Sequence, residues 1–200
     1  MAQNDELRFP ATGMPDKDWW QALWPNPSQV LKEAGITPDM KVLDLCCGDG
    51  HFTAPLCELL SKGSCTALDL DEALLGETVA SCRKFDNFQV LKCDAMELSS
   101  QISEPVDFVF IANTFHGIPD KPAFAQEVAK ILKPGGKFAI VNWHQKPKEE
   151  TLVLGVARGP KTEMRMTPDS VTAVVTPAGF KLKQIVDVGK FHYIVTYKKS

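Results

Sequence analysis

Two glycines and a carboxylate in the first third of the chain have the spacing of a nucleoside-binding site. Gly48 and Gly50 follow a short apolar segment, where they permit a tight turn whose backbone can approach a ligand closely. Asp69 comes 19 residues after Gly50, at the end of the next apolar segment. In open α/β sheets an acidic residue at that position binds the ribose hydroxyls of a nucleoside held on the glycine loop. The ordered pair predicts a nucleoside site; the alternative is a structural turn followed by a helix-capping Asp.

Asp44 and the residues after Gly50 indicate the kind of nucleoside. A dinucleotide site has a third glycine, which lets the pyrophosphate rest on a helix N-terminus, but here Gly50 is followed by His51-Phe52-Thr53. This disfavours an NAD-dependent oxidoreductase. Asp44 would repel a diphosphate, whereas its carboxylate can accept hydrogen bonds from an ammonium group. The cofactor should therefore carry a ribose and an amino-acid moiety, and S-adenosylmethionine carries both.

The elements that must position these residues alternate between extended and helical segments from Met40 onward. Predicted strands cover residues 41–45, 65–69, 88–92, 106–112 and 137–143, and two more, 180–188 and 191–198, flank a turn at Gly189-Lys190. Predicted helices cover residues 29–34, 51–61, 72–84, 122–132 and 168–177. Ser28 is expected to cap the first of these helices and Gly35 to end it. The alternation predicts a doubly wound parallel sheet, with ligands at the carboxyl ends of its strands.

Composition and charge exclude several classes of function. The 200 residues are 44% hydrophobic and 24% charged, which is typical of one or two globular domains. A net charge of -3 disfavours binding to nucleic acids or anionic membranes. No apolar run is long enough to cross a bilayer, and residues 1–6 lack the features of a signal peptide, so a cytoplasmic protein is expected. The six cysteines include no CxxC pair and are interpreted as buried thiols, with no metal site.

These motifs, in this order, resemble class I S-adenosylmethionine-dependent methyltransferases, in the broad group that includes ubiquinone/menaquinone and arsenite methyltransferases. The resemblance covers about residues 28–198 and rests on the acidic glycine-rich segment 44–50, on Asp69, on Asp94-Ala95, on the segment 107–120 and on the turn 132–136. It implies a Rossmann-like seven-stranded sheet of order 3-2-1-4-5-7-6 with strand 7 antiparallel. It also implies cofactor contacts from Asp44, Cys46, Gly48, Gly50, Asp69, Leu70, Asp94, Ala95, Ala112 and Asn113. Cys46 stands where the family has Gly, which predicts less room near the methionine end of the cofactor.

Two histidines are candidates for catalysis. His116 follows the predicted fourth strand and His144 the fifth, and strands one, four and five are expected to be neighbours. An imidazole there can take a proton from the methyl acceptor or orient it. The alternative is that each histidine only braces a loop.

Candidate substrate residues lie on either side of the predicted cofactor fold. Trp20 and Trp24, with Trp19, belong to an aromatic segment flanked by prolines, so residues 1–36 are interpreted as a lid segment and residues 37–200 as the methyltransferase domain. Alternatively, the indoles pack on the domain. Arg158 and Arg165 follow the fifth strand, where they could hold a carboxylate or phosphate of the acceptor or lie in a solvated loop.

The predicted function is methyl transfer from S-adenosylmethionine to a small-molecule acceptor, with S-adenosylhomocysteine as product. No nucleic-acid partner and no membrane insertion are expected, and the chain is predicted to be a monomer or homodimer. Cys46-Cys47 leaves a thiol or metalloid methyltransferase as one alternative. A cofactor-binding module without activity is the other.

Overall fold

The computed structural model describes residues 14–200. The helices are α1 (Lys17–Leu23), α2 (Pro27–Ala34), α3 (Thr53–Leu59), α4 (Glu72–Cys82), α5 (Leu98–Gln101), α6 (Lys121–Ile131) and α7 (Pro168–Val175). The strands are β1 (Lys41–Leu45), β2 (Ser64–Asp69), β3 (Phe88–Lys92), β4 (Val106–Ala112), β5 (Leu132–Trp143), β6 (Leu152–Val153), β7 (Val156–Ala157), β8 (Phe180–Val188) and β9 (His192–Lys199). None of the helices in this range is long and apolar enough to cross a membrane.

Seven strands form one sheet, in the order β3-β2-β1-β4-β5-β9-β8. The first five are parallel to one another, and β9 runs antiparallel between β5 and β8. The short strands β6 and β7 pair only with each other, so β8 and β9 are the sixth and seventh strands of the main sheet. The predicted order 3-2-1-4-5-7-6, with strand 7 antiparallel, is confirmed.

Most predicted boundaries agree with the structure to within a few residues, and two local predictions are wrong. Ser28 lies inside α2, because Asn26 caps that helix by accepting a hydrogen bond from the backbone of Gln29 (3.2 Å) and Pro27 takes the first helical position. The predicted turn at residues 132–136 is instead part of β5, which begins at Leu132; its pairing with β4 passes from Leu132 directly to Lys137, and Gly135 between them has φ 76°. Gly35 ends α2 with φ 90°, as predicted.

The apolar core lies on both faces of the sheet. Along β4, Phe108 and Phe110 pack into a cluster with α2 and α3, whereas Val109 and Ile111 pack into a second cluster with α6 and α7. This alternation follows from the two-residue period of a strand, and it explains why β4 is almost continuously apolar. The carboxyl ends of β1, β2 and β4 are thereby fixed from both sides.

The N-terminal tryptophans belong to the first of these clusters. Trp19, Trp20 and Trp24 are all buried, and the Trp24 ring packs between Phe52 (5.4 Å between ring centroids) and His192 (4.4 Å). Helix α1 therefore shares the core of the domain. The division at residue 36 stays a prediction, and residues 1–13 of the predicted lid lie outside the described residues.

All six cysteines are within the described range and are free thiols. Cys57, Cys65, Cys82 and Cys93 are buried, and Cys46 and Cys47 are half-buried. They pack as small apolar side chains, as the sequence predicts.

Candidate active site

A cavity of about 290 Å³ opens at the carboxyl ends of β1, β2 and β4. Its walls come from the loops after β1 to β4, from α1 and from the segment after β7. It brings together eleven of the sixteen residues that the sequence nominates: Trp20, Asp44, Cys46, Gly48, Asp69, Leu70, Asp94, Ala95, Ala112, Asn113 and His116. The other five, Trp24, Gly50, His144, Arg158 and Arg165, do not line it.

The loop after β1 has a backbone that only small or strained residues adopt. Gly48 and Gly50 have φ of 59° and 84°, and Cys46, where the family has glycine, is also left-handed with φ 55°. A Cβ on Gly50 would lie 3.0 Å from Cα of Thr78 in α4. Gly50 therefore permits the loop to pack against α4, and it is Gly48 that presents backbone to the cavity.

Asp69 is held in place by the loops on either side of it. One carboxylate oxygen accepts a hydrogen bond from the backbone N–H of Gly48 (2.9 Å), and the other accepts from the N–H of Asp71 (2.9 Å). A carboxylate has about four acceptor positions, so two bonds leave capacity for both hydroxyls of a ribose. The pairing of glycine loop and acid that the sequence predicts is thus a direct contact.

Asp44 is a buried carboxyl group in the wall of the same cavity. Burial raises its pKa to about 7, against the effect of a 2.7 Å hydrogen bond donated by the Thr53 hydroxyl. A carboxyl group with little hydration gains strongly from a cation beside it. The site therefore favours a ligand that brings an ammonium group to Asp44.

The two loop thiols stay protonated. Burial, with the nearby carboxylates, raises the pKa of both Cys46 and Cys47. Because a thiolate is the form that attacks electrophiles and binds metals or metalloids, this environment argues against thiolate chemistry at the loop.

Three polar groups beyond the acidic half of the cavity have no hydrogen-bond partner within residues 14–200. They are Nε1 of Trp20, the side-chain amide of Asn113 and Nδ1 of His116. His116 lies in a 3-10 turn (Phe115–Gly117) after β4 and is 7% exposed. Burial lowers its pKa to about 4, against the opposing effect of the neighbouring Asn142 side chain. Buried polar groups are usually satisfied, so these three are available to a ligand in the cavity; Trp24, Asn142, Arg158 and His192 carry similar unpartnered atoms but do not line it.

Three nominated residues are used elsewhere in the fold. The His144 ring lies 3.1 Å from the Asp187 carboxylate and packs on Tyr193. Arg165 is buried and donates four hydrogen bonds, three to backbone carbonyls and one to the Thr151 hydroxyl. The Arg158 guanidinium lies over the Trp19 ring. None of the three lines the cavity, and their roles as site residues stay predictions.

Several cavity residues were missed by sequence reasoning. Trp143, at the end of β5, lines the cavity in place of its neighbour His144, and Gly159 and Pro160 line it in place of Arg158. In each case the sequence favours the residue with the more reactive side chain, whereas the fold directs its neighbour towards the cavity. Met14 was also missed, and its thioether lies over Gly48.

Comparison with known proteins decides the family. A family model described as a methyltransferase domain matches residues 36–196. The chain belongs to this methyltransferase family. It is similar to the demethylmenaquinone methyltransferase of Staphylococcus aureus strain MRSA252, at 33% identity over 118 residues, which is 58% of this chain and 48% of the relative. The chain thus spans about half the length of the curated relatives it matches.

Solved structures agree with the family. A SAM-dependent methyltransferase from Aquifex aeolicus has a TM-score of 0.77 and 28% identity, over 92% of this chain and 94% of that one. The N-methyltransferase NodS from Bradyrhizobium japonicum shares the fold, with a TM-score of 0.66 and 13% identity over 93% and 99% of the two chains. The class I methyltransferase fold and S-adenosylmethionine as cofactor, both predicted from sequence, are confirmed at the level of the family.

Proposed function

We propose that the chain transfers the methyl group of S-adenosylmethionine directly to a small-molecule acceptor. The observation that supports this most strongly is one continuous cavity with two chemically different halves. One half contains Asp44, Gly48 and Asp69, which suit an ammonium group and a ribose. The other half contains His116 and Asn113, a residue that the family resemblance assigns to the cofactor, and both have polar atoms without a hydrogen-bond partner within residues 14–200. We call these the cofactor half and the acceptor half.

The chain's own polar groups would hold the cofactor, each at a different part of the cofactor molecule. Asp69 is preset by two backbone hydrogen bonds to accept the ribose hydroxyls, and Asp44 is available to the amino-acid ammonium. Leu70, Asp94 and Ala95 line the neighbouring wall, where the base would lie. When bound, the cofactor supplies an already activated methyl group on a sulfonium. The protein's task is therefore mainly alignment.

His116 is better suited to orient the acceptor than to take its proton. With a pKa of about 4 its ring is neutral at physiological pH and is a weak base. A neutral imidazole still donates and accepts hydrogen bonds, and one from Nδ1 would direct the acceptor's lone pair. This revises the general-base role that the sequence suggested.

The alternatives receive less support. A thiol or metalloid methyltransferase would call on Cys46 and Cys47, whose thiols are kept protonated by burial. A binding module without activity would have no use for the unsatisfied groups of Asn113 and His116 in the acceptor half. The cytoplasmic location, the absence of a nucleic-acid partner, and a monomeric or homodimeric state stay predictions.

The test is to incubate the protein with methyl-labelled S-adenosylmethionine and a fractionated metabolite extract, and to identify labelled products by mass spectrometry. Asp69→Ala serves as the cofactor-site control, and Asp86→Ala, an exposed aspartate in the turn before β3, as the matched surface control. A labelled small molecule formed by the wild type and by Asp86→Ala, but not by Asp69→Ala, supports the proposal. Label found only in protein or RNA, or no transfer to any fraction, would contradict it.

A further inference from the structure

We propose that the acceptor half takes a flat acceptor without negative charge, and that Trp19 and Trp143 enforce this by holding two arginines outside the cavity. The inference rests on the proposed function and narrows its substrate class.

The charged side chains that line the cavity all carry the same sign. Asp44, Asp49, Asp69, Asp71 and Asp94 contribute carboxyl groups, and among the described residues no lysine or arginine lines it. An anionic acceptor would therefore find no lysine or arginine side chain in the described cavity wall with which to form an ion pair. Removing an unpaired charge from water is costly, so such a ligand is disfavoured.

Arg165 is the first cation kept outside. Its guanidinium carbon lies 5.0 Å from the ring centroid of Trp143, which itself lines the cavity. It donates hydrogen bonds to the carbonyls of Lys146, Pro160 and Arg158 at 2.9, 3.2 and 3.2 Å, and to the Thr151 hydroxyl at 2.9 Å. These hydrogen bonds hold together the segment between β5 and α7, next to the Trp143 ring.

Arg158 is the second, and it too lies over an indole ring, but its buried Nε has no hydrogen-bond partner among the described residues. Its guanidinium carbon lies 5.3 Å from the ring centroid of Trp19, and Trp19 lines the cavity whereas Arg158 does not. A cation on an indole face is stabilised by the ring, which supports this placement. The positive charge of Lys121 contributes to lowering the pKa of His116, and its ammonium donates a hydrogen bond to the Ile118 carbonyl (2.8 Å).

The groups that remain for the acceptor are uncharged. Nε1 of Trp20 donates, the Asn113 amide donates and accepts, and the neutral His116 ring does either. With aromatic surface from Trp19 and Trp143, they suit a planar molecule that carries a hydroxyl or an amine. Selection comes from attraction of such a molecule and from rejection of its anionic analogue.

The experiment measures binding of matched probes to protein saturated with S-adenosylhomocysteine, by calorimetry and ligand-observed NMR. The probes are 2-naphthol and 2-naphthoate, which share a ring system and differ in charge. We expect 2-naphthol to bind at least about tenfold more tightly than 2-naphthoate. Arg158→Gln should leave the ratio of the two dissociation constants unchanged, because that guanidinium does not reach the ligand.

Trp19→Leu is the informative variant, because it removes the ring on which Arg158 rests. We expect it to shift the ratio at least about fivefold towards 2-naphthoate, and Trp19→Leu/Arg158→Gln to restore it. If Trp19→Leu does not fold, the wild type and Arg158→Gln decide.

Failure of this inference is distinguishable from failure of the proposed function. If S-adenosylhomocysteine itself does not bind, the proposed function fails. If it binds and 2-naphthoate binds as tightly as 2-naphthol, if Arg158→Gln weakens 2-naphthoate selectively, or if 2-naphthol does not bind at all, the substrate class proposed here is overturned.

Discussion

Cofactor affinity is expected to depend on pH through Asp44. Burial raises the pKa of this carboxyl to about 7, so it is largely protonated in mildly acidic solution. A cofactor ammonium prefers the ionised carboxylate. If binding requires that form, the dissociation constant of S-adenosylhomocysteine should rise about 25-fold between about pH 7.5 and about pH 5.5, or about 1.9 kcal/mol. Over this window the ligand's own amino group, which is that of a free amino acid, stays protonated, so the change reports on the protein.

Two variants isolate Asp44 from other titrating groups in titration calorimetry. Asp44→Asn should bind more weakly at about pH 7.5 and show almost no pH dependence. Thr53→Val removes the hydroxyl that donates to Asp44, a hydrogen bond that lowers the carboxyl pKa, so the midpoint should move to higher pH. A flat wild-type profile, or a slope that persists in Asp44→Asn, would refute the assignment.

Three further predictions concern stability and turnover. Because the folded-state pKa of Asp44 is raised, its protonated form contributes to the free energy of unfolding below about pH 4, and this contribution is lost as pH rises through about 7. Asp44→Asn should therefore be more stable than the wild type at about pH 8, by about 2 kcal/mol in urea unfolding. In the same assay Gly50→Ala should lower the free energy of unfolding by more than about 1 kcal/mol, because Gly50 has φ 84° and Thr78 crowds the new Cβ. Gly76→Ala, on the open face of α4, should raise it by about 0.5 kcal/mol or more. Equal effects of the two substitutions would contradict the loop packing. His116→Ala should lower kcat about 10²-fold, the scale of a misplaced acceptor, and His116→Gln much less, with S-adenosylhomocysteine affinity unchanged. Equal losses in both variants would count against an orienting hydrogen bond.

The sheet could be predicted from the sequence because its signals are local. Apolar runs such as residues 106–112 and the turn at Gly189-Lys190 depend on neighbouring residues alone, and their positions agree closely with β4, β8 and β9. The cofactor half could be predicted for the same reason, since Gly48 lies in the loop after β1 and Asp69 ends β2, the next strand of the same βαβ unit. Parallel pairing then brings their ends together.

The acceptor half could not be predicted because it depends on orientation and long-range packing. Sequence reasoning favoured His144, yet the strand places Trp143 towards the cavity and turns His144 to Asp187. Arg165 was nominated for its charge, but its role follows from carbonyls up to 19 residues away that only the folded loop brings together. The burial that lowers the pKa of His116 is likewise a property of the assembled core.

The most direct test of a cofactor site built on Asp69 is calorimetric binding of S-adenosylhomocysteine to the wild type, Asp69→Ala and Asp86→Ala, with thermal unfolding of each protein as a check on folding. Hydrogen bonds to a charged group contribute about 1.5–3 kcal/mol, so Asp69→Ala should weaken binding about 10- to 150-fold. Asp86→Ala should bind like the wild type. Unchanged affinity in a folded Asp69→Ala protein would contradict the central claim.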